Sequence, residues 1–305
     1  SQVDVIKVSH LKKYFRDVKA VDDISFVVKK GELFGFLGVN GAGKSTTINI
    51  LCTLLAETEG VIEVCGYDVR KQSNEVRKKI GVVFQENTLD DMLTVKENLE
   101  LRGSLYEKDK KTVQKNLEEV TKILDIKDLL PRRFGKLSGG QKRRCEIAKS
   151  LMNTPDILFL DEPTTGLDPQ TRKQVWESIE KLRAEREMTV FLTTHYMEEA
   201  AMAQYLCIMD AGRIVARESP AELKKQYAAN LLKLYTKDIG RMAQEAERLN
   251  LSCQRLSNGV AVRLVSTKDA VGIISRLNTD YDGLEIIQGS MDDVFINVTG
   301  KRMED

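Results

Sequence analysis

Apolar residues in this chain fall into short blocks separated by polar stretches. Leu33 to Leu37 (LFGFL), Ile157 to Leu160 (ILFL) and Val190 to Leu192 are continuous apolar runs of strand length. Unbroken runs of that size suit strands buried on both faces. Val61 to Val64 and Gly81 to Phe84 predict two further short strands. Ser1 to Val28 alternates instead, which predicts two antiparallel strands about a turn, with Val5, Ile24 and Phe26 inward. Between the strands the period changes. Lys44 to Leu55 has helical apolar spacing, and Thr94 to Leu130 reads as mostly helical. That stretch is charged on one face and carries Leu93, Val95, Leu99 and Leu105 on the other. Short strands alternating with helices predict a mostly parallel α/β core. The helical stretch, extended to about Ser150, would be an inserted helical subdomain at about 90–150.

The pattern changes at Glu218-Ser219-Pro220. Beyond it, Leu231 to Leu234 reads as a strand and Asp238 to Leu249 as a helix. Ser252 to Leu256 and Val260 to Val265 form an expected hairpin about Asn258-Gly259, a good turn dipeptide. Lys268 to Leu277 reads as a helix and Leu284 to Ile287 as a strand. That β-α-β, β-α-β order predicts a small C-terminal α+β module of ferredoxin-like type over 221–305, after a larger domain over 1–220.

Two segments carry the chemistry. Gly38 to Thr46 reads GVNGAGKST, a complete phosphate-binding loop between an apolar strand and a helix. Its glycines, Gly38, Gly41 and Gly43, let backbone N–H groups turn inward around phosphates, with Val39, Asn40, Ala42 and Thr46 completing the loop. Lys44 adds a point charge, and the Ser45 hydroxyl is the expected magnesium ligand. Asp161 ends the ILFL strand, where a carboxylate faces the ligand crevice of an open α/β sheet and holds magnesium through water. Glu162 follows it and is placed to act on a water attacking the γ-phosphate. The second segment, Leu137 to Gln141, reads LSGGQ and opens a helix. Alone, Ser-Gly-Gly is an ordinary helix cap. Beside a complete phosphate loop it becomes a second anion site at a helix N-terminus, whose ligand must come from a second nucleotide face.

Together these motifs resemble the nucleotide-binding subunit of an ABC transporter, over Val5 to about Pro220. The resemblance implies a P-loop NTPase core with an N-terminal antiparallel β subdomain, and the cofactors ATP and Mg2+. It implies that Tyr14, in LKKYF, stacks on adenine, with Phe15 as a poorer substitute. Gln85, in VVFQE, matches the glutamine that senses magnesium and the transmembrane partner. Ser138, Gly140 and Gln141 match the signature that touches the γ-phosphate of the opposite subunit. Asp168, in TTGLD, matches the aspartate connecting the two sites. His195, in LTTHYMEEA, matches the switch histidine, and Glu162 the general base or water-orienting carboxylate. Two ATPs would be sandwiched between two such chains, and a separate membrane permease would be gripped by Glu86 to Leu93 and the helices that follow.

The phrases CTLLAETEG, FQENTLDDMLTVKENL, LFLDEPTTGLDPQTR and MDDVFINVTG are similar to ATPases of the daunorubicin-resistance type, which serve ABC-2 exporters. Departures are Ala56-Glu57-Thr58-Glu59 in place of the more usual Pro-Thr-Ser loop, and the absence of acidic residues from Ala201 to Leu206. MDDVF (Met291 to Phe295) has no assignable chemistry, and its Asp292-Asp293 pair reads as a helix N-terminus.

Composition narrows the alternatives. Lys and Arg number 47 against 46 Asp and Glu, a formal net charge of +1. That leaves no electrostatic footprint for nucleic acid. No apolar run approaches the ~18 residues of a membrane span, and Ser1 to His10 alternates like a strand rather than a leader. Any span is therefore expected on another chain, with this one cytoplasmic and peripheral to the membrane. Five scattered cysteines without paired spacing predict free, packed thiols in a reducing compartment. An ABC-type ATPase acting on nucleic acid or ribosomes, an importer ATPase and a plain P-loop kinase are the competing classes. The single cassette, the short tail and LSGGQ respectively weigh against them.

Overall fold

The computed structural model describes residues 2–303, so the expected strand start at Ser1 and the end of the C-terminal module at Glu304 and Asp305 lie outside the described residues. The chain divides after Arg217 into two compact units.

The first unit opens with β1 (Asp4–Phe15) and β2 (Val18–Lys29), paired antiparallel. Ile6 and Val8 are the fully buried residues at the start of β1, while the expected Val5 is only half-buried. Next come β3 (Leu33–Leu37), α1 (Lys44–Leu51), β4 (Glu59–Val64), β5 (Tyr67–Asp68), α2 (Ser73–Lys79) and β6 (Ile80–Val83). Then follow α3 (Val95–Ser104), α4 (Lys110–Ile123), two 3-10 turns at Lys127–Leu129 and Phe134–Lys136, and α5 (Gly139–Leu151). The unit closes with β7 (Ile157–Asp161), α6 (Pro169–Arg186), β8 (Thr189–Thr194), α7 (Met197–Ala200), β9 (Tyr205–Asp210) and β10 (Arg213–Glu218).

Two sheets result. One is ordered β2-β1-β4-β5, with antiparallel neighbours. The other is ordered β10-β9-β3-β8-β7-β6, and its β9-β3-β8-β7-β6 portion is parallel. Alternate residues of the parallel strands enter different clusters, as period 2 dictates. Phe34, Phe36, Phe159 and Phe191 pack with Phe26 and the α1 residues Ile48 and Leu51. Leu158, Leu160, Val190 and Leu192 pack with residues of α3 to α6. Burial on both faces is why these strands read as unbroken apolar runs. Their C-terminal ends meet the loops that carry the site.

Two helix readings are corrected. α1 stops at Leu51, short of the expected Leu55. Thr53 takes a left-handed conformation (φ 66), with Thr53 N donating to Ile50 O and Leu54 N to Asn49 O. This is a Schellman close built without its usual glycine, so no stop signal was visible. Leu105 is 73% exposed rather than inward. It caps α3, whose buried face is Val95, Asn98, Leu99 and Gly103.

The second unit contains α8 (Pro220–Tyr227), β11 (Asn230–Tyr235), α9 (Ile239–Arg248), β12 (Cys253–Leu256), β13 (Gly259–Leu264), α10 (Asp269–Ser275), β14 (Gly283–Ile287) and α11 (Met291–Thr299). Its sheet is ordered β12-β13-β11-β14, with antiparallel neighbours. The hairpin turn is Ser257-Asn258. Gly259 already belongs to β13, where any Cβ would meet the carbonyl of Leu234 at 2.0 Å. MDDVF begins α11. Ser290 and Asp293 form a capping box, while Met291, Val294 and Phe295 are buried. The motif therefore has a packing and capping role.

Candidate nucleotide-binding site

The phosphate loop leaves β3 and enters α1. Gly43, at φ 106, is the residue before the helix, and no side chain caps its first N–H groups. A Cβ on Gly43 would approach Ala20 O to 2.6 Å, and one on Gly38 would approach Met209 O to 2.7 Å. Close backbone approach requires glycine at both, and at Gly43 the left-handed backbone requires it as well. Asn40, Gly41 and Ser45 are exposed, Val39 and Thr46 half-buried, and Ala42 buried.

Lys44 lies folded into the loop, 4% exposed. Its ammonium donates to Gly38 O and Val39 O and pairs with Glu162 Oε1 at 3.1 Å. Burial pulls its pKa down, opposed by the Glu162 charge. Glu162 is 6% exposed and has φ 45. Its N–H is held by Thr193 Oγ1 at 3.1 Å, and its Oε1 also meets His195 Nδ1 at 3.2 Å. One carboxylate oxygen thus joins the loop lysine and the histidine that follows β8. Asp161, one residue earlier, accepts from Thr193 Oγ1 at 2.6 Å and from Ser45 Oγ at 3.4 Å. Burial raises its pKa, and the two hydroxyls work against that rise.

Tyr14 lies half-buried at the end of β1. Its hydroxyl donates to Asp22 Oδ1 at 2.7 Å, and the Lys19 ammonium lies 5.4 Å from its ring centroid. Phe15 beside it is exposed.

Ser138 caps α5 in a full capping box. Gln141 N donates to Ser138 Oγ at 3.3 Å, and Ser138 N to Gln141 Oε1 at 3.0 Å. Gly140 faces Thr171, where a Cβ would clash at 2.4 Å. Thr171 is in turn bound by Asp168, which caps α6. The signature and the TTGLD aspartate therefore meet within one chain through Thr171.

Gln85 is exposed just beyond β6. Its carbonyl accepts from Arg143 of α5, as does that of Phe84 at 2.6 Å. Three residues on, Thr88 N and Leu89 N donate to Glu146 at 2.5 and 2.9 Å. Glu146 is 1% exposed and also pairs with Lys149 at 3.2 Å.

The sequence matches the ABC transporter family over residues 21–165. The daunorubicin/doxorubicin resistance ATP-binding protein DrrA of Streptomyces peucetius is 37% identical over 311 residues, covering 98% of this chain and 94% of that protein. The chain belongs to the ATP-binding proteins of ABC transporters. A further relative is the Nod factor export ATP-binding protein I of Ralstonia nicotianae, 33% identical over 314 residues, covering 99% and 95%. Among solved structures, a dimeric ATP-binding cassette in a post-hydrolysis state, bound to ADP and Pi, aligns with TM-score 0.64 and 28% identity, over 70% of this chain and 98% of that one. The chain is thus an ABC-type ATPase, an ATP hydrolase coupled to transport, in a family whose cassettes bind ATP and ADP. Among the described residues no helix is long and apolar enough to cross a membrane.

Sequence reading of this ABC ATPase missed four supporting side chains: Thr193, Arg143, Glu146 and Thr171. Thr193 was visible only as one of two threonines before His195 at a strand end. Arg143 and Glu146 sit three residues apart on α5, a spacing that also describes any solvated helix face. Their burial revealed their role. The thiols carry none. Cys52, Cys145 and Cys207 are buried, and burial raises Cys145 and Cys207 to about 12.

Proposed function

We propose that this chain is the ATP-hydrolysing subunit of an ABC-2-type exporter. Residues 1–220 act as the nucleotide-binding domain, and two such domains close around two ATPs to drive a separate transmembrane subunit. The observation that carries this reading is the junction at Glu162 Oε1, held by Lys44 at 3.1 Å and His195 at 3.2 Å. The arriving γ-phosphate is the competing partner for Lys44 and His195. Taking both, it would free the Glu162 carboxylate to orient and deprotonate an attacking water. Tyr14 stacks on the base, the 38–46 backbone holds the phosphates, and Ser138, Gly140, Gln141 and Asp168 face the partner's nucleotide.

Magnesium fits the donor set. Ser45 Oγ and Asp161 Oδ1 are hard oxygens 3.4 Å apart, at the end of a strand facing the loop. With Gln85, which follows the strand β6 that pairs with β7, these residues would hold the ion, which when bound would neutralise phosphate charge.

Docking of the permease is supported by a groove of about 560 Å³ lined by Leu54, Val82, Thr88, Leu101, Leu105 and Tyr106, among others. Leu54, Leu101 and Leu105 are each more than half exposed there. Exposed leucines at one groove are a protein-docking signature. Since Glu146 and Arg143 bind the 84–89 loop to α5, a push at this groove would reach the signature directly. Such docking would place the chain at the cytoplasmic face of the membrane. The export direction is supported by the names of the relatives. The C-terminal unit is read as ferredoxin-like, supported by its strand order.

The test is Glu162→Gln with ATP and magnesium. Turnover is expected to fall by about 10²–10⁴, while the protein accumulates as a nucleotide-dependent dimer in sizing or light scattering. A variant that stays monomeric with ATP overturns the sandwich.

A further inference from the structure

Asp22 is a carboxylate that the hydrolysis chemistry does not use, yet it is 8% exposed at the rim of the site. Buried carboxylates need partners, and this one has two of different kinds. Its Oδ1 accepts from the Tyr14 hydroxyl at 2.7 Å. Its Oδ2 accepts from Arg213 Nη2 at 2.7 Å and Nε at 3.1 Å. The Tyr14 bond is also the largest cause lowering the Asp22 pKa, and it raises that of Tyr14, so the phenol remains a donor at neutral pH.

The backbone around this cluster reaches the phosphate loop. Asp22 N donates to Gly212 O at 2.8 Å, and Gly212 N donates to Ala42 O at 2.9 Å. Gly212 has φ 79, and a Cβ there would meet Lys19 O at 2.8 Å and Ala20 O at 2.9 Å. Lys19 is the strand partner of Tyr14. The turn between β9 and β10 is therefore wedged between the tip of the β1–β2 hairpin and the phosphate loop, and bonded to both. One end of this bridge holds the ring of Tyr14. The other holds the backbone of Ala42.

We propose that Asp22 and Arg213 are positioning residues that orient the Tyr14 ring for the nucleotide base, in register with the phosphate loop. This rests on Tyr14 being the base-stacking residue. An aromatic at a hairpin end has free rotation about its side-chain bonds, and a ring that must be ordered on binding loses affinity to that entropy. The Asp22 bond removes the freedom beforehand. Arg213 holds the carboxylate in place from the far side. Because the bridge ends on Ala42, base and phosphates are placed at one fixed separation.

The experiment compares ATP with inorganic tripolyphosphate, which has the phosphates and no base. Binding of each, with magnesium, is measured by calorimetry on the wild-type chain and on Tyr14→Ala, Tyr14→Phe, Asp22→Asn and Arg213→Met. Tyr14→Phe keeps the ring, removes only the tethering hydroxyl, and guards against a folding defect in the others. Tyr14→Ala is expected to weaken ATP about tenfold, from the loss of one base stack. Tyr14→Phe, Asp22→Asn and Arg213→Met are expected to weaken ATP about threefold, the worth of one net hydrogen bond. All four leave tripolyphosphate binding unchanged. Equal losses for ATP and tripolyphosphate in Asp22→Asn and Arg213→Met would mean that the cluster only braces the loop, which overturns the positioning role. So would a Tyr14→Phe protein that binds ATP as the wild type does while Tyr14→Ala does not. A Tyr14→Ala protein with unchanged ATP affinity would instead remove the base-stacking reading beneath it.

Discussion

Two helices of the first unit begin at anion-binding motifs, and they begin differently. α1 follows Gly43 and has no side-chain cap, so its first N–H groups are left to a ligand. The cation beside them, Lys44, is buried and already paired with Glu162. α5 follows Ser138, and the Gln141 N–H in its first turn is taken by the Ser138 hydroxyl in a capping box. Ser138 is exposed. A helix start that is bare and backed by a buried cation suits the phosphate-holding role proposed for it within its own chain. A helix start that is self-capped and exposed is stable alone and has its polar atoms on the outside. Under the proposed function, two similar glycine-rich starts divide the work: one would hold the nucleotide, and the other would stay folded until a partner presents one.

The comparison is most severely tested at Glu146. Replacing it by Ala leaves Lys149 and the Thr88 and Leu89 N–H groups without their buried partner, and about 3 kcal/mol of stability is expected to be lost. Denaturant melts should show it, together with faster proteolysis of the 84–93 loop. Unchanged stability would show that α5 and that loop are not joined. Next is Lys44→Ala. It removes the cation behind α1, and ATP affinity is expected to fall about thirtyfold, or ~2 kcal/mol. Calorimetry reads it, and an unchanged dissociation constant would undo the assignment of residues 38–46. The smallest effect is at α5. Ser138→Ala is expected to cost about 1 kcal/mol of stability through the lost cap. In the isolated chain it leaves ATP affinity unchanged, while weakening the ATP-dependent dimer of Glu162→Gln. If Ser138→Ala lowers ATP affinity in the monomer, the division between the two helix starts is wrong.

Much of the fold was legible because its strands are buried on both faces. LFGFL and ILFL have no alternative at that length, and both are strands here. Boundaries set by unusual residues were not legible. Thr53 closes α1 in a conformation that glycine normally signals, and Gly259 sits inside a strand for want of space rather than in the turn. Amphipathic helices with more than one apolar stripe misled as well. Leu105 belongs to an outward stripe with Leu101, which helical spacing alone cannot tell from a core stripe.

For the site, the motifs were local in sequence and could be read directly: the 38–46 loop, Asp161-Glu162, and the Ser138 helix start. Such chemistry depends on residue types at fixed short spacings, and those survive in a string of letters. What only the tertiary structure decided was which of these groups meet. Glu162 finds Lys44 118 positions earlier in the chain because β7 and β3 both lie beside β8 in one parallel sheet. Arg143 and Glu146 find the 84–89 loop, and Asp22 finds Tyr14 and Arg213, through packing between distant segments. Side chains of this kind carry no spacing rule. Their partners are set by how strands align and by which charges are taken out of water, and those are properties of the folded chain.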